Sequence, residues 1–76
     1  MEHFEVKIKW DETEGEPAMW ISECEPLGVF LCEPTLRRLL SENQLAAETM
    51  REVDGKSMDF ILDFKIEVPK VSEMVA

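Results

Sequence analysis

Only one segment of this chain carries apolar residues at helical spacing, and segments with strand-like alternation lie on both sides of it. The stripe advances in steps of three and four residues and consists of Leu36, Leu39, Leu40, Asn43, Ala47, Met50 and Val53. This spacing predicts one amphipathic helix, with Thr35 as its N-cap and Gly55 as its end. The charged residues beside the stripe are expected to face water: Arg37, Arg38, Glu42, Glu48, Arg51 and Glu52. One helix can cover only one face of a sheet, which leaves the other face for solvent or a partner.

The segments around the helix alternate with a period of two, which is typical of strands with one buried and one solvated face. The first strand is predicted from Phe4, Val6, Ile8 and Trp10, which alternate with charged residues. Residues 18–24 and 29–33 predict a hairpin around a turn at residues 25–28. The last strand runs through residues 58–68 and, as the longest alternating segment, is predicted to be central in the sheet.

The order strand, strand, strand, helix, strand predicts an α+β fold of the type βββαβ. A helix between two strands suits a crossover connection, so the last strand is expected to lie parallel to the first. The result would be a four-stranded mixed sheet with one helix packed on one face. The 76 residues are expected to form one domain with its core in about residues 4–68, followed by a short fraying tail after Pro69.

The two faces of the predicted hairpin both carry apolar residues. A four-residue turn places Trp20, Ser22, Cys24, Val29, Leu31 and Glu33 on one face. The same register places Met19, Ile21, Glu23, Phe30 and Cys32 on the other. Cys24 and Cys32 therefore lie on opposite faces, and no disulfide is expected between them.

The charge of the chain bears on its partners. Asp and Glu number 17 against 8 Lys and Arg, which gives a formal charge of −9. Direct nucleic-acid binding is disfavoured, because a protein surface that binds nucleic acid needs clustered cations and the basic residues here are scattered. A basic partner protein fits this charge better, and self-association into a homodimer would supplement a small core. No segment is apolar enough to span a membrane and no cationic leader is present, so the chain is predicted to be cytoplasmic.

Residues that carry enzymatic chemistry do not form a recognisable constellation. His3 lies at the terminus, and the two cysteines have no positioned histidine. The acidic cluster of Asp11, Glu12, Glu14 and Glu16 lacks the spacing of a calcium loop. The chain is therefore predicted to be a non-enzyme with no metal and no cofactor.

A partner-binding site is predicted on the hairpin and on the acidic loop before it. The predicted site residues are Asp11, Glu12, Glu14, Glu16, Trp20, Glu23, Glu25, Leu31 and Glu33. Trp20 fits either a core position, where its indole N–H needs a partner, or an interface anchor. The anchor is favoured because both faces of the hairpin are apolar and one helix can bury only one of them. The acids are interpreted as a patch that attracts a basic partner, although ordinary surface charge accounts for them equally well.

Four short motifs resemble the HicB-like family. They are Trp10-Asp11-Glu12, Trp20-Ile21-Ser22, Glu25-Pro26-Leu27-Gly28 and Thr35-Leu36. The resemblance covers roughly residues 4–68. It implies a partial ribonuclease-H-like βββαβ fold without nuclease carboxylates. It also implies that the chain is an antitoxin that binds and neutralises a HicA-like toxin, a small basic RNA-cleaving protein.

A second hypothesis explains the same charge. An acidic inhibitor encoded by a phage could mimic nucleic acid and occupy the nucleic-acid site of a CRISPR or restriction defence complex. Charge alone does not separate this DNA mimic from an antitoxin, because both would bind a basic surface.

Overall fold

A computed structural model describes residues 1–67 and contains a four-stranded mixed sheet with one long helix on one face. The strands are β1 (Glu2–Asp11), β2 (Met19–Cys24), β3 (Val29–Glu33) and β4 (Phe60–Glu67), and the helix is α1 (Leu36–Val53). The predicted α+β class and the βββαβ order are confirmed. Val68, Pro69 and the predicted tail lie outside the described residues.

The strand order is β3-β2-β1-β4, with β1 and β4 parallel and the other neighbours antiparallel. The expected parallel pairing of the first and last strands is confirmed. The prediction that the last strand is central is wrong, because β4 forms an edge and β1 lies between β2 and β4. Alternation reports which faces of a strand are buried, and it does not report how many neighbours the strand has.

The hairpin has the predicted register. A short 3-10 turn at Glu25–Leu27 joins β2 to β3, and Gly28 ends it in the left-handed region at φ 65°. The Gly28 N–H donates to the Glu25 carbonyl at 3.0 Å. Cys24 pairs with Val29 across the hairpin, so the two faces contain the residues that parity assigns to them.

Both ends of α1 are capped as the sequence predicts. The Arg38 N–H donates to Oγ1 of Thr35 at 3.3 Å. At the other end, Gly55 adopts φ 65° and its N–H donates to the Glu52 carbonyl, while the Lys56 N–H donates to the Arg51 carbonyl at 2.9 Å. This pair of bonds is a Schellman motif, in which glycine accepts the left-handed conformation without steric cost.

The core lies between α1 and the sheet. Its buried apolar residues are Val6, Ile8, Cys24, Leu27, Val29, Leu39 and Ala47. Asn43 and Ser22 are buried among them, and Nδ2 of Asn43 donates to Oγ of Ser22 at 2.8 Å and to the Leu39 carbonyl at 2.9 Å. The predicted stripe is therefore correct through Ala47.

The last turn of α1 departs from the predicted stripe. Val53 is 76% exposed and Met50 is 37% exposed, whereas Arg51, expected to face water, is only 6% exposed. Glu42 and Glu48, also expected in water, are half-buried. Arg51 is buried because its long side chain crosses the helix end to reach acceptors and aromatic rings that a shorter apolar side chain would not reach.

Candidate functional site

The sheet face opposite α1, here called the outer face, is covered by no helix of residues 1–67. The strand registers place the following residues on it: His3, Glu5, Lys7, Lys9, Asp11, Met19, Ile21, Glu23, Phe30, Cys32, Ile61, Asp63, Lys65 and Glu67. An open face of this kind is a candidate surface for a partner.

The half of the outer face on β2 and β3 is largely apolar. It is formed by Met19, Ile21, Phe30 and Cys32, with Ile21 directly opposite Cys32. Phe30 is 63% exposed, and Cys32 is also exposed. An exposed aromatic ring next to aliphatic neighbours on a sheet is typical of a surface that becomes buried on binding.

The half on β1 and β4 is mainly charged, with both signs, and also carries Ile61, which is 41% exposed. Lys7 lies opposite Lys65, and Lys9 lies opposite Glu67. At the start of β1, Nδ1 of His3 is 3.0 Å from Oδ2 of Asp63. These exposed groups are screened by water, so they are expected to favour particular partners more than they stabilise the fold.

Two shallow depressions lie on the outer face, one of them beside the β2–β3 turn at its rim. One, of about 190 Å³, is lined by Glu5, Lys7, Glu23, Glu25 and Pro26. The other, of about 140 Å³, is lined by Lys7, Ile8, Lys9, Ile21, Glu23 and Glu67. Both are smaller than typical small-molecule pockets, which begin at about 300 Å³.

The predicted partner-binding residues do not share one face. Glu23 and Asp11 lie on the outer face, and Glu25 lies on the turn at its rim. Glu12, Glu14 and Glu16 are exposed in the loop between β1 and β2. Trp20, Leu31 and Glu33 lie on the face toward α1, beside or on the edge strand β3. A partner on the outer face could reach these three residues only by extending around the β3 edge.

Trp20 is held by neighbours within the chain. Its ring centroid is 5.0 Å from that of Trp10, and both indoles are half-buried against the core side of the sheet. Nε1 of Trp10 donates to Oε1 of Glu12 at 2.8 Å, which ties the acidic loop to the strand. Trp20 thus contributes to packing whether or not it also contacts a partner, and its role as an anchor stays a prediction.

The site predicted from sequence omitted Phe30 and Ile21. The hairpin parity already placed both on the face that one helix leaves open, and this was the signal that could have selected them. The prediction of Trp20 as an anchor rests on the two apolar faces of the hairpin, yet Trp20 lies on the face toward α1 and is less accessible than Phe30.

The possible metal ligands and the cysteines have the following surroundings within residues 1–67. No group of three or more His, Cys, Asp or Glu side chains within residues 1–67 is placed to hold a metal ion. Both cysteines are free, in agreement with their opposite faces. Burial raises the pKa of the Cys24 thiol, and a backbone hydrogen bond with Leu27 offsets this only in part, which makes Cys24 a poor nucleophile.

No helix within residues 1–67 combines the length and the apolar character needed to cross a bilayer.

Fold and surface together define a small α+β domain with a helix on one sheet face and an open, partly apolar second face. No protein-family model matches the chain, and no curated protein or solved structure shows significant similarity to it.

Proposed function

We propose that this chain is a non-enzymatic, acidic protein-binding inhibitor, and that it acts as a HicB-like antitoxin against a small basic RNA-cleaving toxin. The observation that carries the proposal is the outer face, where the exposed ring of Phe30 lies directly across from Glu23. An apolar anchor beside a carboxylate suits a partner surface that contains both apolar and basic groups.

The arrangement along the outer face supports a protein as the ligand. One cross-strand row contains Phe30, Glu23, Lys7 and Lys65, and the next contains Cys32, Ile21, Lys9 and Glu67. Each row therefore changes from apolar to charged across the sheet. A partner with matching apolar and charged zones would be oriented in one way, because reversing it would place charges against the apolar half.

The four motifs of the HicB-like resemblance also have defined roles in this fold. Trp10 and Trp20 pack against each other, Glu25 and Gly28 are bonded across the β2–β3 turn, and Thr35 caps α1. The four motifs therefore contribute to the fold at three separate places, which supports a shared architecture. Toxin neutralisation is the function that the resemblance implies for this architecture.

The charge of the outer face favours an antitoxin over a DNA mimic. A nucleic-acid mimic would present a continuous row of negative charge, whereas Lys7 and Lys9 lie in the middle of this face and Lys65 lies on its β4 edge. The feature that favours a mimic is the exposed acidic loop with Glu12, Glu14 and Glu16, which is confined to one end of the sheet.

The proposal can be tested by capturing the partner and measuring its inhibition. The tagged chain is used to recover bound proteins from host lysate at low and high salt, and each recovered protein is purified and assayed for RNA cleavage. We expect one small basic ribonuclease whose activity is abolished by one equivalent of this chain. Recovery of a large nucleic-acid-processing complex that dissociates at high salt, with no ribonuclease inhibited, would instead establish the DNA mimic.

Phe30→Ala is expected to weaken inhibition of the captured partner by about 30-fold or more, which corresponds to about 2 kcal/mol for an interface anchor. Stability should change by less than about 0.5 kcal/mol, because Phe30 is a surface residue in the free chain. Titration of the partner's activity measures the first effect and urea unfolding the second. The matched control is Leu45→Ala, since Leu45 is 59% exposed on the helix side and lies far from the outer face. Equal losses from both variants would contradict an outer-face site.

Reversing the charge of Glu14 and Glu16 is expected to slow association and to flatten its salt dependence, because exposed acids act mainly on the rate of encounter. Glu12 is left in place, since it accepts a hydrogen bond from Trp10. Stopped-flow association at several salt concentrations measures the effect. Glu48→Lys/Glu52→Lys on α1 changes the net charge by the same amount and serves as the control. If both pairs slow association equally, the loop has no specific role and only net charge matters.

A further inference from the structure

The two edges of the sheet differ in how they are protected. The β4 edge carries Asp63, Lys65 and Glu67, and charges along an edge discourage pairing with another strand. The β3 edge carries one charge, Glu33, at its end. Its five residues pair with β2 without an interruption, so no bulge turns the edge away from solvent. Among residues 1–67, no strand pairs with the free side of β3.

We propose that β3 is a self-association site, at which β3 pairs antiparallel with β3 of a second copy about a two-fold axis at Leu31. This register places Phe30 opposite Cys32 of the second copy, and Val29 opposite Glu33 of the second copy. No like charges face each other within the ladder. Phe30 and Cys32 are both exposed in the free chain, so the pairing brings together apolar side chains that water otherwise surrounds.

Charge complementarity at the two ends of the ladder identifies a second copy as the occupant. In an antiparallel pair, the β2–β3 turn of one copy lies beside the start of α1 of the other. Glu25 is exposed on that turn, and Arg37 is exposed on the first turn of α1. Glu25 and Arg37 lie beyond opposite ends of β3, so an acid of one copy and a base of the other flank each end of the ladder. These two contacts oppose the repulsion expected between chains of charge −9.

The pairing would create one eight-stranded sheet with a larger outer face. The apolar halves of two outer faces would meet at the axis and form one continuous apolar strip next to Glu23 and Glu25 of each copy. A 76-residue chain also gains from association, because a core of this size supplies only about 3–5 kcal/mol. The inference stands on the β3 edge and does not require the proposed antitoxin function.

Sedimentation velocity of the purified chain, without partner and with reductant, tests the proposal. We expect a concentration-dependent species of twice the 8.8 kDa chain mass. A monomer at all concentrations up to about 0.5 mM would overturn the proposal, since that range excludes all but the weakest association.

A charge exchange tests the register. Phe30→Glu/Cys32→Glu places like charges opposite each other at two points and should weaken the dimer by about tenfold or more. Phe30→Lys/Cys32→Lys should do the same, whereas an equimolar mixture of the two variants should restore a dimer. Each variant is expected to fold, since both positions are exposed, and circular dichroism checks this. A dimer that persists in either variant alone would overturn the β3 register.

A monomeric wild-type chain that still inhibits its ribonuclease would overturn this inference alone, and a dimeric chain without a ribonuclease target would overturn only the proposed function.

Discussion

Asn43→Asp is expected to leave most of the chain unfolded at neutral pH. Nδ2 of Asn43 donates to the Leu39 carbonyl and to Oγ of Ser22, and the side chain is 1% exposed. Aspartate places a carboxylate oxygen against the Leu39 carbonyl oxygen and buries a charge without a cation. The cost is expected to be about 3–5 kcal/mol, as for a buried charge that has lost its partner. A small domain has about this much stability in total, so circular dichroism and urea unfolding should show a largely unfolded chain.

Two further variants separate charge from hydrogen bonding at this position. Asn43→Leu keeps a similar volume but leaves the Ser22 hydroxyl without its partner, so we expect a loss of about 1–3 kcal/mol. Adding Ser22→Ala removes the orphaned hydroxyl and should recover part of that loss. A free energy of unfolding for Asn43→Asp equal to that of the wild-type chain would contradict the expectation that the core is most sensitive at this buried amide.

The position of Asn43 illustrates what periodicity can predict. The stripe included it because position 43 has the spacing of the apolar residues Leu39 and Ala47, although an amide alone gives no apolar signal. The buried amide is tolerated because it donates a hydrogen bond to Ser22, which lies 21 residues earlier on β2. The helix face follows from spacing, whereas the partner follows from tertiary packing.

The alternation along a strand likewise predicts which residues share a face of the sheet, and it does not predict which strands are adjacent. It assigned Phe30 and Glu23 to the same face, and the register of β2 and β3 agrees. It could not show that β4 is an edge, because an alternating strand has the same pattern with one neighbour as with two. The length of β4 suggested a central position, but length reflects its pairing along nearly all of β1.

The candidate site was the part least accessible to sequence reasoning. The prediction of Trp20 as an anchor rests on the two apolar faces of the hairpin, and the position of Trp20 toward α1 depends on which of these faces the helix covers. Parity divides the hairpin residues into two sets, and the sequence does not state which set meets the helix. The exposed set therefore became clear only with the packing of Asn43 against Ser22, which fixes the face of β2 that α1 covers.

Arg51→Met is expected to destabilise the chain by about 2–3 kcal/mol, even though methionine retains most of the apolar stem. The guanidinium donates to Oε1 of Glu2 at 2.7 Å and to the Ser57 carbonyl at 2.9 Å. It also lies 5.3 Å from the ring centroid of Phe4 and 5.8 Å from that of Phe60. These contacts join the end of α1 to the first residues of β1 and β4, so their loss should loosen the β4 edge and reduce its hydrogen-exchange protection.

The control is Glu2→Gln, which removes only the ion pair. Because Glu2 is exposed, we expect a cost below about 1 kcal/mol in urea unfolding. Equal costs for the two variants would show that the ion pair, and not the buried guanidinium, joins these elements.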